Sequence, residues 1–182
     1  MLHSISIRGR FLITAMLFAL IAGFLCIFIP MLYSVTVYFD RETVVWFIPP
    51  KNFWLLGLAF GAVFFNLILL AFKRNYITYI LTAIIIAASI LIGYLSFLSV
   101  TIINNEHIYI KDLFDEETYL WSEMNEVVLY YNEEENYEEY VFSLSDGSQI
   151  TMWNNPKLKV GAPALYSIFQ KYNIPYSAQP AP

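Results

Sequence analysis

Three long apolar runs occupy the first hundred positions, and short alternating runs occupy the rest. The first apolar run is FLITAMLFALIAGFLCIFI, residues 11–29, which continues past Pro30 to Tyr38. The second, FWLLGLAFGAVFFNLILLAF, covers 53–72, and the third, YITYILTAIIIAASILIGYLSFLSV, covers 76–100. A helix needs about 20 apolar residues to cross a hydrocarbon core. All three runs reach or nearly reach that length, and none contains Asp, Glu, Lys, Arg or His. The pattern predicts three transmembrane helices, over about 11–38, 53–72 and 76–100. The first reads as a retained helix. Cleaved signals have apolar cores of about 7–15 residues followed by a small-residue site, and IPMLYSVTVYF supplies no such site.

Beyond residue 100 the period changes. SVTII (99–103) and EHIYIK (106–111), separated by Asn104-Asn105, read as a hairpin. ETYLW (117–121), NEVVLYY (125–131), EYVFSLS (139–145) and SQITMW (148–153) are further strand candidates, the last two joined by the tight-turn pair Asp146-Gly147. In EYVFSLS the alternation puts Tyr140, Phe142 and Leu144 on one face. Leu165, Ile168, Phe169 and Tyr172 then fall at helical spacing, predicting one amphipathic helix over about 162–173, with Pro163 in its first turn and Asn173 as its cap. The expected organisation is a three-helix transmembrane domain (1–100), a small antiparallel β domain closed by one helix (101–176) and a frayed tail (177–182).

Charge divides at the same point. Residues 1–100 hold six bases and two acids, a formal +4; residues 101–182 hold thirteen acids and four bases, a formal −9. The whole chain is 58% hydrophobic and 14% charged. Soluble domains average roughly 45–50% apolar and about 25% charged, so this is a membrane composition. Arg8, Arg10, Lys73 and Arg74 flank the helices, while Asp40, Arg41, Glu42 and Lys51 nearly cancel in the first connection. Lys and Arg concentrate on the cytoplasmic side. The expectation is a multi-pass protein of the cell membrane, with a cytoplasmic N-terminus and an extracytoplasmic C-terminal domain.

The strand text carries a resemblance. Glu106-His-Ile-Tyr-Ile110, the segment Tyr119-Leu-Trp-Ser-Glu-Met124 running into Val127-Val128, the Ser145-Asp-Gly147 hairpin and the closing helix together resemble the bacterial PH-like domain family of small bacterial membrane proteins. The resemblance covers roughly residues 97–175 and includes no chemical motif. It implies a barrel-like sheet plugged at one end by the helix. It implies fold only, because fold does not carry function.

The chemistry-bearing residues are sparse. His3 and His107 stand apart, Cys26 lies alone in an apolar run, and no H-E-x-x-H, C-x-x-C, G-x-S-x-G or phosphate-cradling glycine loop is present. No enzymatic activity, cofactor or metal is expected. The −9 balance opposes anionic headgroups and nucleic acid. Trp121 reads as core filler with Glu123 at a strand end, against the alternative of a Trp–carboxylate anchor for a peptide. Asn66 is the strongest polar residue at membrane depth and is expected to bond a neighbouring helix. Gly57 and Gly61 belong to small-xxx-small faces that serve helix packing within the chain or, alternatively, a homodimer.

Two acidic patches remain: Asp115, Glu116 and Glu117, and then Glu133, Glu134, Glu135, Glu138 and Glu139. Neither fits a calcium loop, so both read as solvated connections or a candidate surface for a basic partner. The expected function is a non-enzymatic membrane protein that presents an acidic domain to a protein partner, in an accessory, stress or immunity-type role. The alternatives are a sensor of a cation or cationic peptide and, third, a subunit of a transporter.

Overall fold

The computed structural model describes residues 6–38, 41–132 and 137–181. The chain divides into two compact units. One contains three helices, α1 (Ile7–Tyr38), α2 (Pro50–Phe72) and α3 (Tyr76–Leu95), together with the Asp112–Phe114 turn. Each helix is long and apolar enough to cross a membrane. α2 packs against both α1 and α3. Phe18 meets Phe60 edge-on at 5.9 Å, and Arg8 lies over the Phe72 ring at 4.1 Å.

The helix bounds follow from local bonding. α1 starts at Ile7, ahead of the expected 11, because Arg8 and Arg10 are compatible with a helix and the Arg10 N–H reaches the Ser6 carbonyl at 3.0 Å. α2 starts on Pro50, ahead of 53, where a missing N–H costs nothing. Asn75 caps α3 by accepting from the Thr78 N–H at 2.8 Å. The third apolar run was expected to stay helical to 100, yet α3 stops at Leu95. The Ser96 hydroxyl bonds the Gly93 carbonyl at 2.6 Å, and the Phe97 and Leu98 amides reach back three residues, tightening the last turn. Phe97 and Leu98 lie in this turn, and the strand begins at Val100.

Among the described residues, the second unit holds eight strands and a helix. They are β1 (Thr43–Phe47), β2 (Val100–Asn104), β3 (His107–Asp112), β4 (Asp115–Leu120), β5 (Met124–Asn132), β6 (Tyr137–Leu144), β7 (Gln149–Trp153), α4 (Pro156–Lys171) and β8 (Tyr176–Pro180). Two four-stranded sheets result, ordered β1-β2-β3-β4 and β7-β6-β5-β8. Val127 stands opposite Phe142 and Leu129 opposite Tyr140 in the antiparallel β5–β6 pair. Tyr140, Phe142 and Leu144 are all buried, as the alternation requires. Trp121 is fully buried against Phe142 and Phe169, and its indole N–H donates to the Asn104 carbonyl at 2.9 Å. It is a core residue, and Glu123, expected at a strand end, closes the 3-10 turn Trp121–Glu123 ahead of β5, its carbonyl accepting from the Ser145 N–H and hydroxyl.

Three features depart from the expected pattern. β1 comes from the connection between α1 and α2, where TVVWF supplies five consecutive residues of β-branched or aromatic type. It pairs antiparallel with β2, Trp46 opposite Ile102 and Phe47 opposite Thr101. α4 begins at Pro156 and not near 162: Asn155 accepts from the Lys157 and Leu158 amides, so Pro163 lies inside the helix and not in its first turn. The expected tail is a strand from Tyr176, because Asn173 takes a left-handed φ of +54° and turns the chain back so that β8 runs parallel to β5.

Close approach of α4 to β1 depends on Gly161, where an added Cβ would lie 2.2 Å from Val45 Cγ2. Lys157 stacks over the Trp46 ring one turn earlier, 3.1 Å from its centroid. Gly161→Ala is therefore expected to destabilise the protein by about 1–3 kcal/mol through overpacking. The double variant Gly161→Ala/Val45→Ala should show a coupling energy of about 0.5–3 kcal/mol that recovers part of the loss. Thermal unfolding of the four proteins of this cycle measures both.

Candidate interaction surface

The end of α4 and the start of β8 line a hollow in the second unit. It measures about 530 Å3 and is lined by Tyr166, Phe169, Gln170, Asn173, Ile174 and Tyr176. Helical spacing puts Phe169 inward and leaves Tyr166, Gln170 and Asn173 on the neighbouring stripe. The left-handed turn at Asn173 then folds Tyr176 back onto α4. Tyr176 stacks on Phe169 at 5.8 Å and meets Tyr166 at 5.0 Å, the two hydroxyls lying 3.2 Å apart. The walls are rigid aromatic rings, and the polar groups are phenols and amides.

Burial governs the electrostatics here. It pushes the Tyr140 and Tyr176 phenols well above their ordinary value, with hydrogen bonding by Tyr166 and the negative field of Glu138 adding to the rise. Lys157 is held below its usual range by desolvation. On β4 the Tyr119 phenol is pushed up to about 12, first by the hydrogen bond it donates to Glu117 and then by burial.

The acidic residues do not form one patch. Glu133, Glu134 and Glu135 lie outside the described residues. Glu138 and Glu139 belong to β6 itself and not to a loop, so they point to opposite faces. Glu138 points toward α4, where Asn154 Nδ2 donates to it at 2.6 Å and Lys159 Nζ lies 3.0 Å away. Glu139 accepts from the Tyr137 hydroxyl. Asp115, Glu116 and Glu117 open β4 and are exposed. Glu116 pairs with Lys111, which holds its carboxyl below the usual range.

Among the described residues no group of three or more His, Cys, Asp or Glu could hold a metal ion. His107 is used structurally: its backbone N–H donates to Asn104 Oδ1 at 2.7 Å, and its ring lies 3.2 Å from Asn104 Nδ2. Within the first unit, Asn66 Oδ1 accepts from the Thr82 hydroxyl at 3.1 Å, the interhelical bond expected of it. Gly57 and Gly61 face α1 across a cleft of about 260 Å3 that they share with Ala19, Ala22, Gly23 and Cys26. A Cβ added at Gly57 would lie 3.8 Å from Cys26 Sγ, and one added at Gly61 would meet nothing within 4 Å.

The aromatic hollow escaped the sequence reading. Phe169 was recognisable as a core residue, but Tyr166 and Gln170 have no signature apart from their helix. Tyr176 lay in what read as a tail. The motif that could have exposed it is Asn173-Ile-Pro175, a helix stop followed by an extended dipeptide.

Raised phenol pKa values link stability to alkaline pH. The folded state prefers neutral tyrosines, so their contribution is complete below the ordinary value of 10. It is lost as pH climbs through the folded values. Stability is expected to fall as pH rises above 10, and tyrosinate absorbance should show a component near 12 that Tyr119→Phe removes.

No protein-family model matches the chain, and no curated protein matches its sequence.

Proposed function

We propose that this chain is a non-enzymatic, multi-pass membrane protein whose second unit, a PH-like domain, docks a basic segment of a protein partner in the aromatic hollow. The observation that carries the reading is the hollow itself, a preformed cleft of about 530 Å3 lined by Tyr166, Phe169 and Tyr176 in a domain with a formal charge of −9. Tyrosine supplies large contact area with few torsions to freeze, which suits it to protein contacts. The net negative charge of the domain favours cationic partners and speeds their encounter. Two four-stranded sheets and one helix that share a single hydrophobic core support the PH-like reading. The β1–β2 pairing supports the topology: a strand before α2 and a strand after α3 pair only when both lie on one side of the bilayer. With Arg8, Arg10, Lys73 and Arg74 on the other side, residues 101–182 face outward.

Two measurements test this. Full-length protein in nanodiscs, titrated with a panel of lysine- and arginine-rich peptides bearing one aromatic residue, is expected to bind in the micromolar range. Binding should weaken with salt, and both Gln170→Arg and Tyr166→Ala should weaken it by tenfold or more. Binding that survives both substitutions, or no binding by any basic peptide, sinks the docking proposal. Separately, reporter fusions after Lys73 and after Pro182 should report cytoplasmic and extracytoplasmic locations respectively. A cytoplasmic reporter after Pro182 would reverse the topology.

A further inference from the structure

The β3–β4 hairpin turns on Leu113 and Phe114, inside the run KDLFDEE. Two-residue hairpin turns favour Gly, Asn or Asp, which accept a positive φ at little cost. Here Leu113 takes a φ of +56°, and Phe114 leaves 78% of its surface exposed. Leu113 does not suit the turn, and neither residue belongs to the hydrophobic core of the second unit. Two large apolar side chains at a strained tip, in an otherwise acidic hairpin, need another reason.

Bonding within the first unit shows where this turn is held. Lys51, in the first turn of α2, pairs with Asp112. The Ser99 hydroxyl accepts from the Leu113 N–H at 3.1 Å and lies 3.3 Å from Asp112 Oδ1. Asn52, fully buried beside Lys51, donates to the Ser99 carbonyl at 2.7 Å. The turn is thus fastened at the level where α2 begins and α3 has ended. The helices carry their own aromatic rings at this end: Trp54 is 79% exposed, Tyr94 is exposed, and Tyr33 packs on Phe97 at 5.0 Å. Trp and Tyr collect where hydrocarbon meets headgroups. Two of the hairpin's carboxylates are paired, Asp112 with Lys51 and Glu116 with Lys111, while Asp115 and Glu117 are exposed and face water beside the zwitterionic headgroups.

We propose that the Leu113–Phe114 turn is a membrane-interface anchor, with the Phe114 ring seated in the headgroup–acyl boundary of the bilayer that α1–α3 cross. The left-handed backbone at Leu113, held by Ser99 and the Lys51–Asp112 pair, aims the ring there. The proposal rests on the reading of α1–α3 as membrane-spanning and is independent of any partner at the aromatic hollow.

The test uses full-length protein in phosphatidylcholine nanodiscs, in a Cys26→Ser background that leaves the introduced cysteine as the sole thiol. Nitroxide labels are placed through Phe114→Cys, through Ser145→Cys in the β6–β7 turn, and through Ile84→Cys at an exposed position within α3. Collision with oxygen relative to a water-soluble nickel chelate reports depth. The ratio at position 114 is expected to fall between the other two and severalfold above that at 145. A ratio at 114 equal to that at 145 overturns the anchor. A ratio at 84 equal to that at 145 overturns the spanning reading and the anchor with it. As an independent readout, Phe114→Trp should add emission that brominated phosphatidylcholine quenches. Added emission that brominated lipid leaves unquenched also overturns the proposal.

Discussion

The pairing of β1 with β2 is the constraint on which the second unit depends. β1 is a five-residue strand between two long apolar helices, so α1 and α2 limit its reach at both ends. Its side chains complete a sheet whose other strands all follow α3. Val45 enters the same core as Trp121 and Phe142, and α4 closes over it only because Gly161 presents no Cβ. A domain that looks like a simple C-terminal appendage therefore takes one of its strands from the first hairpin of apolar helices. Its sheet cannot be complete until that connection is in place.

The same economy of contacts shapes the chemistry. Thirteen acids follow residue 100, yet the described ones are dispersed among separate roles: Glu138 faces Lys159 and Asn154, Glu116 pairs with Lys111, and Glu117 and Glu139 accept from neighbouring phenols. Dense carboxylates repel one another, and each such partner relieves part of that repulsion. The net charge is therefore a diffuse field, and aromatic rings line the cleft at the junction of α4 and β8.

Elements whose signal is local were legible in advance. The apolar runs gave three helices with bounds off by a few residues, and the alternation in 139–145 named its buried face correctly. That Asn66 bonds a neighbouring helix followed from the cost of leaving an amide unbonded among apolar side chains, and Thr82 supplies the partner. Trp121 as core followed from its size. Where a non-local bond decided the outcome, the reading failed. TVVWF is a plausible strand, but nothing within 43–47 shows that its partner lies at 101–104. The end of α3 at Leu95 was hidden because Phe97, Leu98 and Val100 continue the apolar run of the helix, while the turn that ends it is made by backbone bonds.

Composition and period by themselves determined that the chain has an apolar helical half and an acidic β half, since hydrophobic patterning sets element type through short-range geometry. They also fixed which face of β6 is buried. Only the tertiary structure decided that the first connection contributes a strand, that the tail returns as β8, and that Tyr166 and Tyr176 meet across a cleft. Only it showed Leu113 and Phe114 fastened at the ends of α2 and α3. Each of these depends on groups far apart in sequence meeting at van der Waals or hydrogen-bond distance. Such meetings are selected by the packing of the whole chain, which no local pattern records.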